Sequence, residues 1–140
     1  MAKVIICREE AVKQIDQFKD QWGYEDPQSI ATGGKDSAFP EQAMNVVLAS
    51  VMTGRTEFAE GGKKIIHQLK TPVKELTQVI LNPASMKQHE RRELDECTTE
   101  QEIANRLLEK FGGIGVLQIS EMSGKDVDVL TALAMMMLFI

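Results

Sequence analysis

Apolar residues fall at helical spacing in three stretches of the chain. Val12, Ile15, Phe18 and Trp22 line one face of Arg8–Trp22, with Glu9 and Glu10 in the first turn, where carboxylates meet the positive end of the helix dipole. Gly23 supplies the left-handed residue that closes such a helix. Pro40 suits a first turn and opens a second helix through Met44, Val47, Leu48 and Val51, stopping near Gly54. Thr99-x-x-Glu102 is a capping box ahead of Glu100–Phe111, whose Ile103, Leu107, Leu108 and Phe111 share a face before Gly112-Gly113 ends it.

Weaker periodicity predicts two short helices mid-chain. They are Lys63–Leu69 and Pro72–Leu81, the second capped by Thr71 and stopped by Asn82-Pro83. Ser85-x-x-Gln88 opens a charged helix to about Cys97, and Ser123-x-x-Asp126 opens the last helix. Tyr24–Phe39 and Arg55–Gly62 read as loops punctuated by glycine and proline. Ala2–Cys7 and Ile114–Ser120 are the strand candidates. The expected fold is mainly α: a compact bundle of five to seven short helices, with at most a small two-stranded β element, in one domain spanning residues 1–140.

The last stretch, Val129–Ile140, is apolar all round apart from Thr131. Such a helix must be buried on every side, in its own core or against a partner. At about 1.5 Å per residue it reaches only ~18 Å, short of the roughly 30 Å of a bilayer's hydrocarbon core, so no membrane span is expected. Two readings compete: the central helix of the chain's own bundle, or a docking helix that presents Leu130, Leu133, Met137 and Phe139 to a partner. The terminal carboxylate of Ile140, at the negative end of the helix dipole, calls for water or a cation.

Charge narrows the function classes. A net charge of −5 argues against a dedicated DNA binder, and one Trp, one Tyr and five Phe leave little for base stacking. Cys7 and Cys97 are too few for a disulfide framework and read as reduced thiols, which with no signal-like segment places the chain in the cytoplasm. Charge is unevenly spread: residues 59–82 carry four lysines and two glutamates, a net of +2 between acidic flanks. As helices, this segment would align Lys63, His67, Lys70 and Lys74 on one face with Lys64 nearby. That makes Lys63, Lys64, Lys70 and Lys74 the candidate nucleic-acid contacts, though without interleaved aromatics.

Two other motifs bear on chemistry. Thr32-Gly-Gly-Lys-Asp-Ser37 resembles the Ser-Gly-Gly-x-Asp-Ser loop of the PP-loop ATP pyrophosphatases, enzymes that adenylate substrates and release pyrophosphate. The resemblance implies a phosphate held by Gly33, Gly34, Lys35 and Ser37. It covers six residues, with Thr in place of the first Ser; no hydrophobic strand precedes it, and Phe39-Pro40 follows where that family opens a helix. The charged stretch Lys87–Glu96 starts like a zinc-protease helix at His89-Glu90, yet position 93 is Glu and the second ligand is missing. No metal and no cofactor are expected, nor is a nucleophile elbow present.

The leading expectation is a non-enzymatic interaction protein: an assembly factor, adaptor or inhibitor of the kind phages and mobile elements encode. It would act on a protein partner or on a second copy of itself. Its contacts would be Leu130, Leu133, Met137 and Phe139 of the tail, with Arg91 and Arg92 of the charged helix setting specificity. The alternatives are a phosphate-containing ligand or nucleotide at Thr32–Ser37, and weak nucleic-acid binding along Lys63–Lys74.

Overall fold

The computed structural model describes residues 3–140. Helix α1 (Arg8–Trp22) forms over the predicted span, and Gly23 closes it at φ 61°. A short helix, α2 (Pro27–Ala31), interrupts the expected loop, its first turn capped by Asp26. Helix α3 (Glu41–Met52) follows Pro40. Three strands, β1 (Thr56–Ala59), β2 (Lys64–Val73) and β3 (Leu76–Leu81), then form an antiparallel sheet in the order β1-β2-β3. The rest is helical: α4 (Gln88–Leu94), α5 (Glu100–Gly112), α6 (Val116–Ser120) and α7 (Gly124–Met136), the last running into a 3-10 turn, Met137–Phe139. The fold is mainly α with a small sheet, and the described residues hold seven α-helices and three strands rather than two.

The helices expected at Lys63–Leu69 and Pro72–Leu81 are instead one β-hairpin, β2–β3. Ile65, His67 and Leu69 are buried while Lys64, Gln68 and Lys70 are exposed, which is the period of a strand and not of a helix. The β-branched residues Ile65, Ile66, Val73, Val79 and Ile80 pack well on a pleated surface, and Ile66 stands opposite Ile80 on the outer face. Pro72 is accommodated because the ladder is irregular between Gln68 and Val73, where no amide is required of it. The turn is Lys74-Glu75, with Lys74 at φ 54°, a conformation more often given to glycine or asparagine.

Other expectations shift as well. Arg55–Gly62 contains β1 and a 3-10 turn rather than plain loop. Ile114–Ser120 is helical from Val116 onward, with Gly115 N–H bonded to the Gln118 side chain. Residues 3–7 form no strand; Ile5 and Ile6 both donate to the Met52 carbonyl, and Ala2 lies outside the described residues. The charged helix begins at Gln88, three residues beyond the predicted cap, with the Glu90 carboxylate accepting from Lys87 N–H. Thr99 and Ser123, by contrast, cap α5 and α7 as the sequence predicts.

Helix α7 occupies the centre. It packs against α5, α3 and β2, with Leu130, Leu133, Ala134 and Met136 fully buried. The opposite wall is α1 on the 3-10 turn at Glu60–Gly62, where Trp22 Nε1 donates to the Gly62 carbonyl at 2.7 Å. Gly62, at φ 97°, lets the backbone pass Phe18; a Cβ there would lie 2.5 Å from Phe18 Cα. Removing side-chain volume at the centre of α7 tests this arrangement. Leu133→Ala is expected to cost about 2–5 kcal/mol in urea unfolding, because the packed surroundings collapse only in part around the lost atoms.

Candidate functional site

The first turn of α7 organises the polar interior. Ser123 caps the helix by accepting from Asp126 N–H at 3.2 Å, and its hydroxyl returns a bond to Asp126 Oδ2 at 2.9 Å. The carboxylate then reaches out of its own helix into β2. It accepts from Lys70 N–H at 2.9 and 3.0 Å and from Thr71 N–H at 3.3 Å, two amides in the irregular stretch of the hairpin. Its fourth donor is His67 Nε2, at 2.9 Å.

That bond extends into a chain. His67 Nδ1 lies 3.0 Å from Thr56 Oγ1, which lies 2.6 Å from Ser50 Oγ. Donor directions are consistent if each group passes one hydrogen onward: Ser50 to Thr56, Thr56 to Nδ1, Nε2–H to Asp126. The imidazole is then neutral. Burial holds its pKa below the ordinary 6.5 and the nearby Arg55 charge lowers it further, against the opposing pull of Asp126. Burial alone would raise the Asp126 carboxyl, but the hydrogen bonds from Lys70, His67, Ser123 and Thr71 hold it below 3.8. The hydroxyl, imidazole and carboxylate have the residue types of a hydrolytic triad without its access. Thr56, His67 and Asp126 are each 1% exposed, and both ring nitrogens are occupied within the fold.

Two clefts flank α7. The first, about 610 Å³, lies between α3, β2 and the start of α7, with Ser50, His67 and Asp126 among its lining residues. Val46, Ala49 and Val129 give it apolar walls, and Arg55, Lys70 and Lys125 bring cations to it. Among the described residues none of these three makes an ion pair. The second is a groove of about 380 Å³ along the other half of α7, bounded by α3 and the start of α5. Phe39, Pro40, Ala43, Met135, Leu138 and Phe139 make it apolar; among the described residues Glu100 and Asp128 are its charged ones, and no cation lines it. The clefts share Val46 and Asp128.

The Gly-rich loop is built for an internal anion. Gly34 N–H donates to Ser29 O at 2.8 Å and Gly33 N–H to Ile30 O at 3.4 Å, so both amides close α2. Ser37 Oγ donates to Asp26 Oδ2 at 2.6 Å, and the amides of Ala38 and Phe39 donate to the same carboxylate. Asp26 thus takes the Ser37, Ala38 and Phe39 donors for itself, and its carboxyl is held far below the ordinary range, foremost by the Ser37 bond. Of the four residues, only the exposed Lys35 remains unengaged. Beside this loop, burial, with Asp26 adding to it, pushes the Tyr24 phenol up to about 12.

The remaining candidates are dispersed. Leu130, Leu133 and Met137 are core residues of the chain itself, and Phe139 is half-buried against Tyr24 and Phe39, with ring centroids 5.2 and 6.0 Å apart. Leu130, Leu133 and Met137 offer no free docking face, because α5, α3 and β2 pack around α7, whereas Phe139 lines the groove. Arg91 is bound to the tail, its guanidinium donating to Leu138 O at 3.1 Å, while Arg92 is exposed. Lys63, Lys64, Lys70 and Lys74 share no helical face. Lys64 opens β2 and Lys74 lies in the turn beyond its far end; Lys70 lines the cleft beside α7, whereas Lys74 lines a separate one with Leu117 and Glu121. Among the described residues no cluster of His, Cys, Asp and Glu is placed to hold a metal.

Sequence reasoning missed Arg55, His67, Lys125 and Asp126 as neighbours. The available signal was Ile65-x-His67-x-Leu69, a polar residue at a buried position of an alternating pattern, which demands a partner. No family model, curated protein or solved structure matches the chain.

The buried pair predicts acid sensitivity. In the unfolded chain His67 takes up its proton near 6.5, in the folded chain only at lower pH. Between those values the unfolded state binds more protons, so stability is full above about 6.5 and falls as pH drops through the folded value. Asp126 adds a further loss below 3.8. Urea unfolding across this range is expected to show the decline, with His67→Gln flattening its upper part. At neutral pH, Asp126→Asn is expected to cost about 3 kcal/mol, because the Lys70, Thr71 and His67 donors lose their charged acceptor.

Proposed function

We propose that this chain is a non-enzymatic interaction protein, an assembly factor or adaptor, that docks an apolar segment of a protein partner in the groove between α3 and α7. The observation that carries the reading is the groove itself. Its floor and walls are aromatic and aliphatic, its charged residues are the carboxylates Glu100 and Asp128, and it holds no cation. An amphipathic helix with basic residues beside its apolar face would match both features. Met135 and Leu138 suit such a surface, since flexible side chains repack around different occupants.

The docking surface is therefore the flank of α7 rather than Leu130, Leu133 and Met137 within the core. Inaccessibility of the Thr56 hydroxyl supports a binding role over hydrolysis. Among the described residues no helix is long and apolar enough to cross a membrane, and the free thiols Cys7 and Cys97 suit the cytoplasm. The accessory role suggested by the sequence, in a phage or other mobile element, is compatible with a small chain of this kind.

Thr131 lines the groove and is half-exposed, so Thr131→Arg fills it and adds a positive charge without entering the core. A Leu/Ala/Lys amphipathic peptide, titrated with backbone-amide NMR, is expected to shift groove residues of the wild type and to bind Thr131→Arg at least tenfold more weakly. A Leu/Ala/Glu peptide of the same pattern should bind poorly to the wild type. Equal binding of the Lys peptide to both proteins would sink the reading. Light scattering that shows a dimer lost in Thr131→Arg would assign the groove to a second copy instead.

A further inference from the structure

We infer that the cleft between α3, β2 and the start of α7 is a binding site for a carboxylate borne on a short aliphatic body. The inference is independent of the groove. Three elements deliver cations to one cavity: Arg55 from the turn after α3, Lys70 from β2 and Lys125 from the first turn of α7. Among the described residues none is paired with a carboxylate, and Arg55 is half-buried, which is an uncommon setting for a guanidinium without an acceptor.

The cavity's other groups define the ligand. Asp126 is saturated by donors from its own chain, so it does not neutralise the three cations by direct pairing. Asp128 also lines the cavity, on the helix turn shared with the groove. With His67 neutral, two carboxylates stand against three cations, and the excess of one positive charge fits a monoanion better than a phosphate dianion. Val46, Ala49 and Val129 offer apolar contact for an aliphatic stem, while Arg55 has the planar fork that carboxylates accept bidentately. The positive end of the α7 dipole adds to the same field.

Butyrate is the probe, with butanol and butylamine as isosteric controls and inorganic phosphate as a competitor. Amide NMR on the full chain is expected to show saturable shifts around Arg55, Lys70 and Lys125 with butyrate alone, and Arg55→Gln should weaken its binding about fivefold or more. Because Lys125 is exposed, Lys125→Gln provides a second variant whose folding is not at issue, and it should weaken butyrate by a smaller factor. Equal shifts with butanol, or butyrate affinity unchanged in both variants, would overturn the inference. Phosphate binding more tightly than butyrate would overturn the carboxylate assignment.

Two sources of the carboxylate are separable. Butyrate binding that persists in Thr131→Arg shows a site working without the groove, as a free small acid requires. A glutamate added to one end of the Leu/Ala/Lys peptide tests the other source: an affinity gain that Arg55→Gln abolishes places the carboxylate on a docked segment. Failure of the peptide to bind with butyrate still binding would refute the groove reading alone.

Discussion

The Asp126 carboxylate joins parts of the chain that sequence order keeps far apart. It sits in the first turn of α7, yet its acceptor capacity serves β2 through Lys70, Thr71 and His67. A buried carboxylate is tolerable only when its lone pairs are filled, and an irregular strand leaves amides that need acceptors. Each defect answers the other. Through His67 the same contact continues to Thr56 at the start of β1 and Ser50 in α3, so one polar chain pins the sheet between two helices. No buried side-chain nitrogen or oxygen among the described residues lacks a partner.

Asp26 repeats the solution near the surface. Its carboxylate caps α2 through Gln28 and Ser29 and gathers the amides of Ala38 and Phe39 with the Ser37 hydroxyl. A loop whose composition suggests an anion cradle is thereby a cradle for the chain's own anion. The fixed loop carries Phe39 inward to meet Phe139, and Glu25 N–H bonds the Phe139 carbonyl at 2.8 Å. Arg91 performs the same service at Leu138, placing a cation at the carbonyl end of the last helical turn. Phe39 and Phe139, held by these contacts, are both part of the groove's wall.

The faces of α7 differ in their surroundings. Its buried face is committed to the core, its start opens on a cleft with unpaired cations, and its later turns border an apolar groove edged by carboxylates. The two neighbouring clefts thus differ in charge character along one helix. The hydroxyl–imidazole–carboxylate chain ties α3, β1, β2 and α7 together through the bonds its groups make to one another.

Helices with their own caps were legible in the residues. Gly23, Pro40, Thr99 and Ser123 act through bonds or dihedrals confined to a few neighbouring residues, so α1, α3, α5 and α7 follow from local chemistry alone. The apolar tail likewise declared that it must be buried, but not by what. The hairpin escaped because Lys74-Glu75 carries no glycine or asparagine to mark its turn, and Thr71-Pro72 resembles a helix start. Its strand identity depends on pairing with β1 and on an aspartate more than fifty residues away. The same holds for both clefts: Arg55, Lys70 and Lys125 are strangers in sequence, and only the packing of α3, β2 and α7 sets them around one space. Local backbone preference is written residue by residue, whereas the partner of a buried polar group is chosen by whatever the fold brings within hydrogen-bonding distance.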